Sequence, residues 1–111
     1  MIRAACRSIY MAAVWMGVTA RSSRWPGVRK AFLADHPRCE ACGSGESLEV
    51  HHVKPFHLHP ELELVRANLM TLCEGLTKCH LRVGHLGSWK TINKNARADA
   101  ARALAAAARP G

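Results

Sequence analysis

The sequence predicts a small α+β domain: a helix, two short strands and a closing helical region, with more helical chain at either end. Three observations carry this. Cysteines stand in two pairs, Cys39/Cys42 and Cys73/Cys79. Two short apolar stretches, residues 48–54 and 68–73, lie between the pairs and have strand character. Helix-start signals precede the first pair and coincide with the second. A chain of 111 residues supports one domain at most, with a modest core. Although 49% of the residues are apolar, many are alanine and only 5% are aromatic, so little surface leaves water on folding. A core this thin calls for a staple.

The elements follow in order. Residues 1–20 read as a helical extension with Cys6 as a buried or idle thiol. After the polar entry at residues 21–24, Trp25-Pro26 opens a helix, proline being at home in a first turn. Val28, Ala31 and Phe32 fall on its inner face, with Arg29 and Lys30 outside. His36-Pro37 ends it, because the residue before proline avoids the α region. Cys39 to Gly45 reads as a metal-binding knuckle with permissive glycines. Val50 and Val53 favour a strand that Pro55 stops. A loop over 56–66 carries His57 and His59. Leu69 and Leu72 offer a second strand to the core, and Thr77 suits the N-cap of a helix starting near His80. Gly84 and Gly87 argue against a long regular helix over 78–90, while residues 96–109 are alanine- and arginine-rich and strongly helical. The organisation expected is an extension over 1–20, a domain over 21–95 and a helical tail over 96–111.

Charge is unevenly distributed. The total is +8, but residues 1–38 hold seven Arg/Lys against Asp35 alone, and residues 78–111 hold seven against Asp99 alone. The middle has Lys54 and Arg66 against six glutamates. Two basic flanks suit a protein that grips a polyanion and does other work at its centre. Five cysteines are odd in number, so they do not all pair as disulfides, and C-x2-C spacing suits a metal better than a bridge. Both features point to a reducing cytoplasm. Against this, Arg3, Arg7 and the apolar run before Arg21 have the outline of a secretory signal. A dispensable helix, or a start at Met16, accounts for the same residues. The run is too short to span a bilayer, so no membrane role is expected.

Cys39, Cys42, Cys73 and Cys79 supply four thiolates, a closed tetrahedral set that suits structural Zn²⁺. The second pair has five residues between its members rather than two, so His80 is an alternative fourth ligand. Between and beyond the cysteines lie His51-His52, Asn68 and His80.

With Cys39-Glu40-Ala41-Cys42, Val50-His51-His52-Val53, Asn68-Leu69-Met70-Thr71-Leu72-Cys73 and Cys79-His80, the region from about Trp25 to Asn95 resembles the HNH nuclease family. The resemblance implies a ββα-metal (His-Me finger) fold with flanking helices, and hydrolysis of DNA leaving a 5′-phosphate, with the scissile strand reached through the minor groove. It implies His52 as general base, His51 and His80 as ligands of a catalytic divalent cation, and Asn68 as the residue that holds His52 in orientation. The chemistry is suitable: phosphodiester hydrolysis needs a base near neutral pH and a cation to neutralise phosphate charge. Mg²⁺, Mn²⁺ or Ni²⁺ would serve. The family often carries a further histidine four residues after the last, but that position is Gly84 here; the role of His85 is left open, as are those of His57 and His59. Adjacent strand residues face opposite ways, so His51 and His52 share one site only if the strand is twisted or ends there.

The function expected is therefore a divalent-metal-dependent DNA endonuclease with structural zinc. Its expected partner is double-stranded DNA, with Arg24, Arg29, Lys30, Arg82, Lys90 and Lys94 on phosphates. Small size and the lack of a recognition module suit work inside phage packaging or restriction machinery. A non-catalytic zinc module that binds nucleic acid or docks a partner is the alternative; it explains the thiols and charge but gives the histidines no purpose.

Overall fold

The computed structural model describes residues 21–108. The helix and signal expected over residues 1–20, and Cys6, lie outside the described residues.

Helix α1 (Trp25–Asp35) begins with proline in its first turn and ends at His36, whose N–H bonds the Phe32 carbonyl. Phe32 is buried against Val50 and Leu69, with Trp25, Val28 and Leu33 packed around them. Strands β1 (Leu48–His52) and β2 (Leu69–Cys73) form an antiparallel pair, with Leu48 opposite Cys73 and His52 opposite Leu69. The first strand stops at His52 rather than Lys54. There the side chain of Asn68 takes over from the ladder: its Oδ1 accepts the Lys54 N–H at 2.8 Å and its Nδ2 donates to the Lys54 carbonyl at 3.0 Å.

All five residues of β2 are buried because both faces are covered. On one side lies α1. On the other lie a π-helical turn (His80–Gly84) and helix α2 (Ala96–Ala108). Ala96 and Ala100 are in the main core cluster with Cys39, Met70, Leu72, Cys73 and Cys79. Alanine lets the helix backbone approach the sheet closely, so packing runs without a break across the expected boundary at residue 95. The free edge of β2 is also closed. Thr71 N–H donates to Glu40 Oε2 at 2.7 Å, the Glu40 N–H donates to the Thr71 carbonyl at 2.8 Å, and Arg97 caps the Ala67 and Leu69 carbonyls. An edge satisfied in this way offers no template for pairing with another chain.

The molecule is thus a small α+β domain with a two-stranded antiparallel sheet between helical layers, as a ββα-metal unit requires. Among the described residues, no helix is long and apolar enough to cross a membrane.

Candidate functional site

Two clusters of metal-binding side chains lie on either side of the link between Cys79 and His80. In the first, Cys39, Cys42, Cys73 and Cys79 each present an Sγ, and all four sulfurs lie within 4.8 Å of one another. Cys42 and Cys73 are 3.6 Å apart, close to the edge of about 3.8 Å that a tetrahedron with metal–sulfur bonds of about 2.3 Å requires. Cys79 completes the set, and His80 points elsewhere. The knuckle supplies Cys39 and Cys42, the end of β2 supplies Cys73, and the residue before the π-helical turn supplies Cys79. Three of the four are fully buried.

Thr77 serves this cluster instead of capping a helix. Its Oγ1 lies 3.0 Å from Cys73 Sγ, 3.5 Å from Cys42 Sγ and 3.6 Å from Cys79 Sγ. Burial raises the Cys73 thiol, but hydrogen bonds from Thr77, the Cys79 backbone and Cys42 outweigh it and bring the group down to about 6. Burial drives Cys39 and Cys79 upward. One sulfur therefore ionises readily while its neighbours resist a second negative charge. A bound cation removes that conflict, and the donor set fits one.

In the second cluster, one ring nitrogen from each of His51, His80 and His85 lies within 4.8 Å of the others. The chain prepares each ring differently. His80 Nδ1–H donates to Glu74 Oε1 at 2.9 Å, and His85 Nδ1–H donates to the Thr91 carbonyl at 2.9 Å. Both acceptors lack protons, so each bond fixes the tautomer and leaves Nε2 as the lone-pair nitrogen. His80 Nε2 lies 3.1 Å from His51 Nδ1. Burial, reinforced by the neighbouring imidazoles, pushes His51 down to about 3, so its ring is neutral. Burial lowers His85 as well. Neutral imidazoles are the form a cation needs. His51 Nε2 is buried without a hydrogen-bond partner, the one such side-chain atom among the described residues. Three convergent imidazoles, one of them with a buried unsatisfied nitrogen, fit a divalent cation.

His85 enters through the π-helical turn. An α-helix puts residues i and i+4 on one face, whereas the wider π turn, with its i to i+5 bonding, puts His80 and His85 there. Gly84, at the α-helical position, is occupied differently. A Cβ there would lie 3.1 Å from His51 Cε1 and from Leu72 Cδ1, so the bare backbone lets the His51 ring in.

His52 points to the opposite side of β1, as strand alternation demands. Its Nε2–H donates to the Glu63 carbonyl at 2.9 Å, and its ring packs against Trp25 at 4.6 Å. That bond makes Nδ1 the basic nitrogen. Burial lowers His52, with Arg21 adding to the effect against the Glu63 carbonyl, so the unprotonated ring is favoured. Because β1 ends at His52, a shallow pocket of about 340 Å³ still takes in His51, His52, His80 and His85 together with Arg21 and Trp89. Asn68 makes no bond to the His52 ring. It clamps the Lys54 backbone and donates to the Leu62 carbonyl at 3.4 Å, closing the loop whose next residue, Glu63, receives His52. His57 lines the pocket from an exposed position. His59 pairs with Glu61.

Arg21 went unnoticed in the sequence because nothing in its spacing ties it to the histidines. Its guanidinium lies 4.4 Å over the Phe56 ring and 5.3 Å from Trp25, and 3.6 Å from the buried Glu63 carboxylate. Of the six basic residues expected on phosphates, Arg29 is instead paired with Glu49 at 2.8 Å. Arg24, Lys30, Arg82, Lys90 and Lys94 form no ion pair among the described residues.

Fold and donor sets together define a small α+β domain with a thiolate cluster and an imidazole cluster, each able to hold a metal. Residues 39–86 match the family model for the HNH endonuclease domain. Such a domain implies metal binding and a nucleic-acid substrate. No curated protein and no solved structure gives a significant match.

Proposed function

We propose that this protein is a divalent-metal-dependent endonuclease that hydrolyses phosphodiester bonds of DNA, with zinc at the four cysteines as a structural ion. One observation carries the reading: three imidazoles converge in the same pocket as a fourth whose basic nitrogen is set by its bond to a carbonyl. A structural or docking module has no need of that arrangement.

His51, His80 and His85 would hold the catalytic cation, which when bound neutralises charge on the phosphate and the leaving oxygen. His52 takes the proton of the attacking water at Nδ1, and the Glu63 carbonyl stabilises the imidazolium through Nε2–H. Asn68 acts at one remove, as a positioning residue that keeps the loop closed beneath His52. Arg21, held against Phe56, supplies positive charge at the pocket wall. The unpaired cations outside the pocket add affinity that falls steeply with salt.

The test is plasmid nicking with added Mg²⁺, Mn²⁺ or Ni²⁺, comparing wild type with His52→Ala. The variant is expected to lose about 10²- to 10⁴-fold in rate while keeping its zinc content, melting temperature and DNA affinity. Equal rates in both proteins would overturn the base assignment. Salt-sensitive binding without cleavage in either would favour the non-catalytic zinc module.

A further inference from the structure

Trp89 is not explained by the hydrolytic machinery. It is 57% exposed at the edge of the histidine pocket. Its ring meets His80 at 74° with centroids 5.1 Å apart and leans on His85 at 5.0 Å and 58°. Steeply inclined contacts of this kind do not stack an imidazole flat on the indole, so they leave it a face for something else. Trp89 also lines a second depression of about 280 Å³, whose other walls are Glu74, Lys78 and Leu81. The two depressions thus share the indole as a partition. Lys78 has φ +46°, a left-handed conformation that glycine adopts at less cost. A long cationic side chain at such a position, in the wall of a pocket, points to use of that charge.

Resting on the nuclease reading, we infer that Trp89 is a stacking platform for an unpaired nucleobase next to the scissile phosphate. Lys78 meets the neighbouring phosphate, and the substrate is a strand that is single or splayed at the cut. The chemistry selects this ligand. Every nucleobase has a π face that an exposed indole can take, and a cation beside it suits the backbone that must follow. The 5.1 Å between Trp89 and His80 puts the indole within reach of the nucleoside attached to a phosphate at the imidazole cluster. Bases inside a duplex are stacked on one another and present no free face, so duplex DNA engages this surface only where it opens. The sequence-level expectation of double-stranded DNA is thereby narrowed to DNA with an unpaired strand at the site of cleavage.

The test uses the full chain without added catalytic cation, so that binding is read apart from cleavage. Fluorescence anisotropy compares a labelled single strand with the same sequence as a duplex, for wild type, Trp89→Ala and Trp89→Phe. Wild type is expected to prefer the single strand, Trp89→Ala to lose about ten-fold on it with little change on duplex, and Trp89→Phe to recover most of the loss. An unchanged single-strand affinity in Trp89→Ala overturns the inference. So does an equal loss on both forms, which would mark Trp89 as a structural cover for the histidines. Cleavage of the two forms with Mn²⁺ is scored separately. Nicking of duplex with no Trp89-dependent preference leaves the nuclease standing without the platform, whereas a Trp89-dependent preference without cleavage leaves the platform standing without the nuclease.

Discussion

The two ligand clusters meet at adjacent residues, Cys79 and His80, yet they are built on opposite principles. The thiolate cluster lies in the core, its four positions filled by protein and three of its sulfurs hydrogen-bonded with the Thr77 hydroxyl. It closes on itself and leaves no place for substrate. The imidazole cluster lies in an open pocket with three ligands, and carbonyl and carboxylate acceptors orient two of its rings. A closed set supplies cohesion, whereas an open one supplies chemistry. Their adjacency couples them. Wherever Cys79 is fixed, His80 is fixed too, so the buried cluster aims the imidazole one.

That contrast breaks most visibly at Cys39. Cys39→Ser removes a buried ligand from a site of the kind that contributes roughly 10–16 kcal/mol, against a total stability of about 5–15 kcal/mol for a typical domain. Loss of the cooperative thermal transition in circular dichroism, together with loss of bound zinc, is the expected outcome. A native melt in this variant would mean that the core holds without its staple. His85→Ala should leave the fold intact, with a melting temperature within a few degrees, and raise the cation concentration for half-maximal cleavage about 10- to 100-fold. A titration that matched wild type would remove His85 from the ligand set. The smallest effect is expected from Glu74→Gln. The amide still reaches His80 Nδ1 but withdraws the negative charge, which should weaken cation binding by about ten-fold with zinc content unchanged. A fall in zinc content instead would show that the clusters cannot be separated.

The parts legible in the sequence share a physical property: their signals are local. Cys39-x2-Cys42 specifies a knuckle because two thiols at that spacing reach one ion. Proline at residue 26 and before residue 38 sets the limits of α1, and Pro55 limits β1 by removing a donor. The doubt raised by Gly84 and Gly87 over a regular helix was also readable, since glycine carries an entropic cost in helices.

What tertiary structure decided concerns places where local rules allow more than one geometry. His85 stands one residue beyond where an α-helix would put it, and only the π-helical turn, whose Gly84 leaves room for the His51 ring, swings it into the cluster. Thr77 is a good N-cap by type, but three sulfurs compete for its hydroxyl and win. Asn68 reaches the Lys54 backbone rather than the His52 ring, and Arg21 joins the pocket across 42 positions of chain through Phe56 and Glu63. The sequence by itself determined the thiol cluster, the two strands and the residue types that furnish the imidazole pocket. Which histidines converge, and which way each ring faces, depended on the packing of the π-helical turn and α2 against β2, because side-chain direction is fixed only when distant elements are brought into contact.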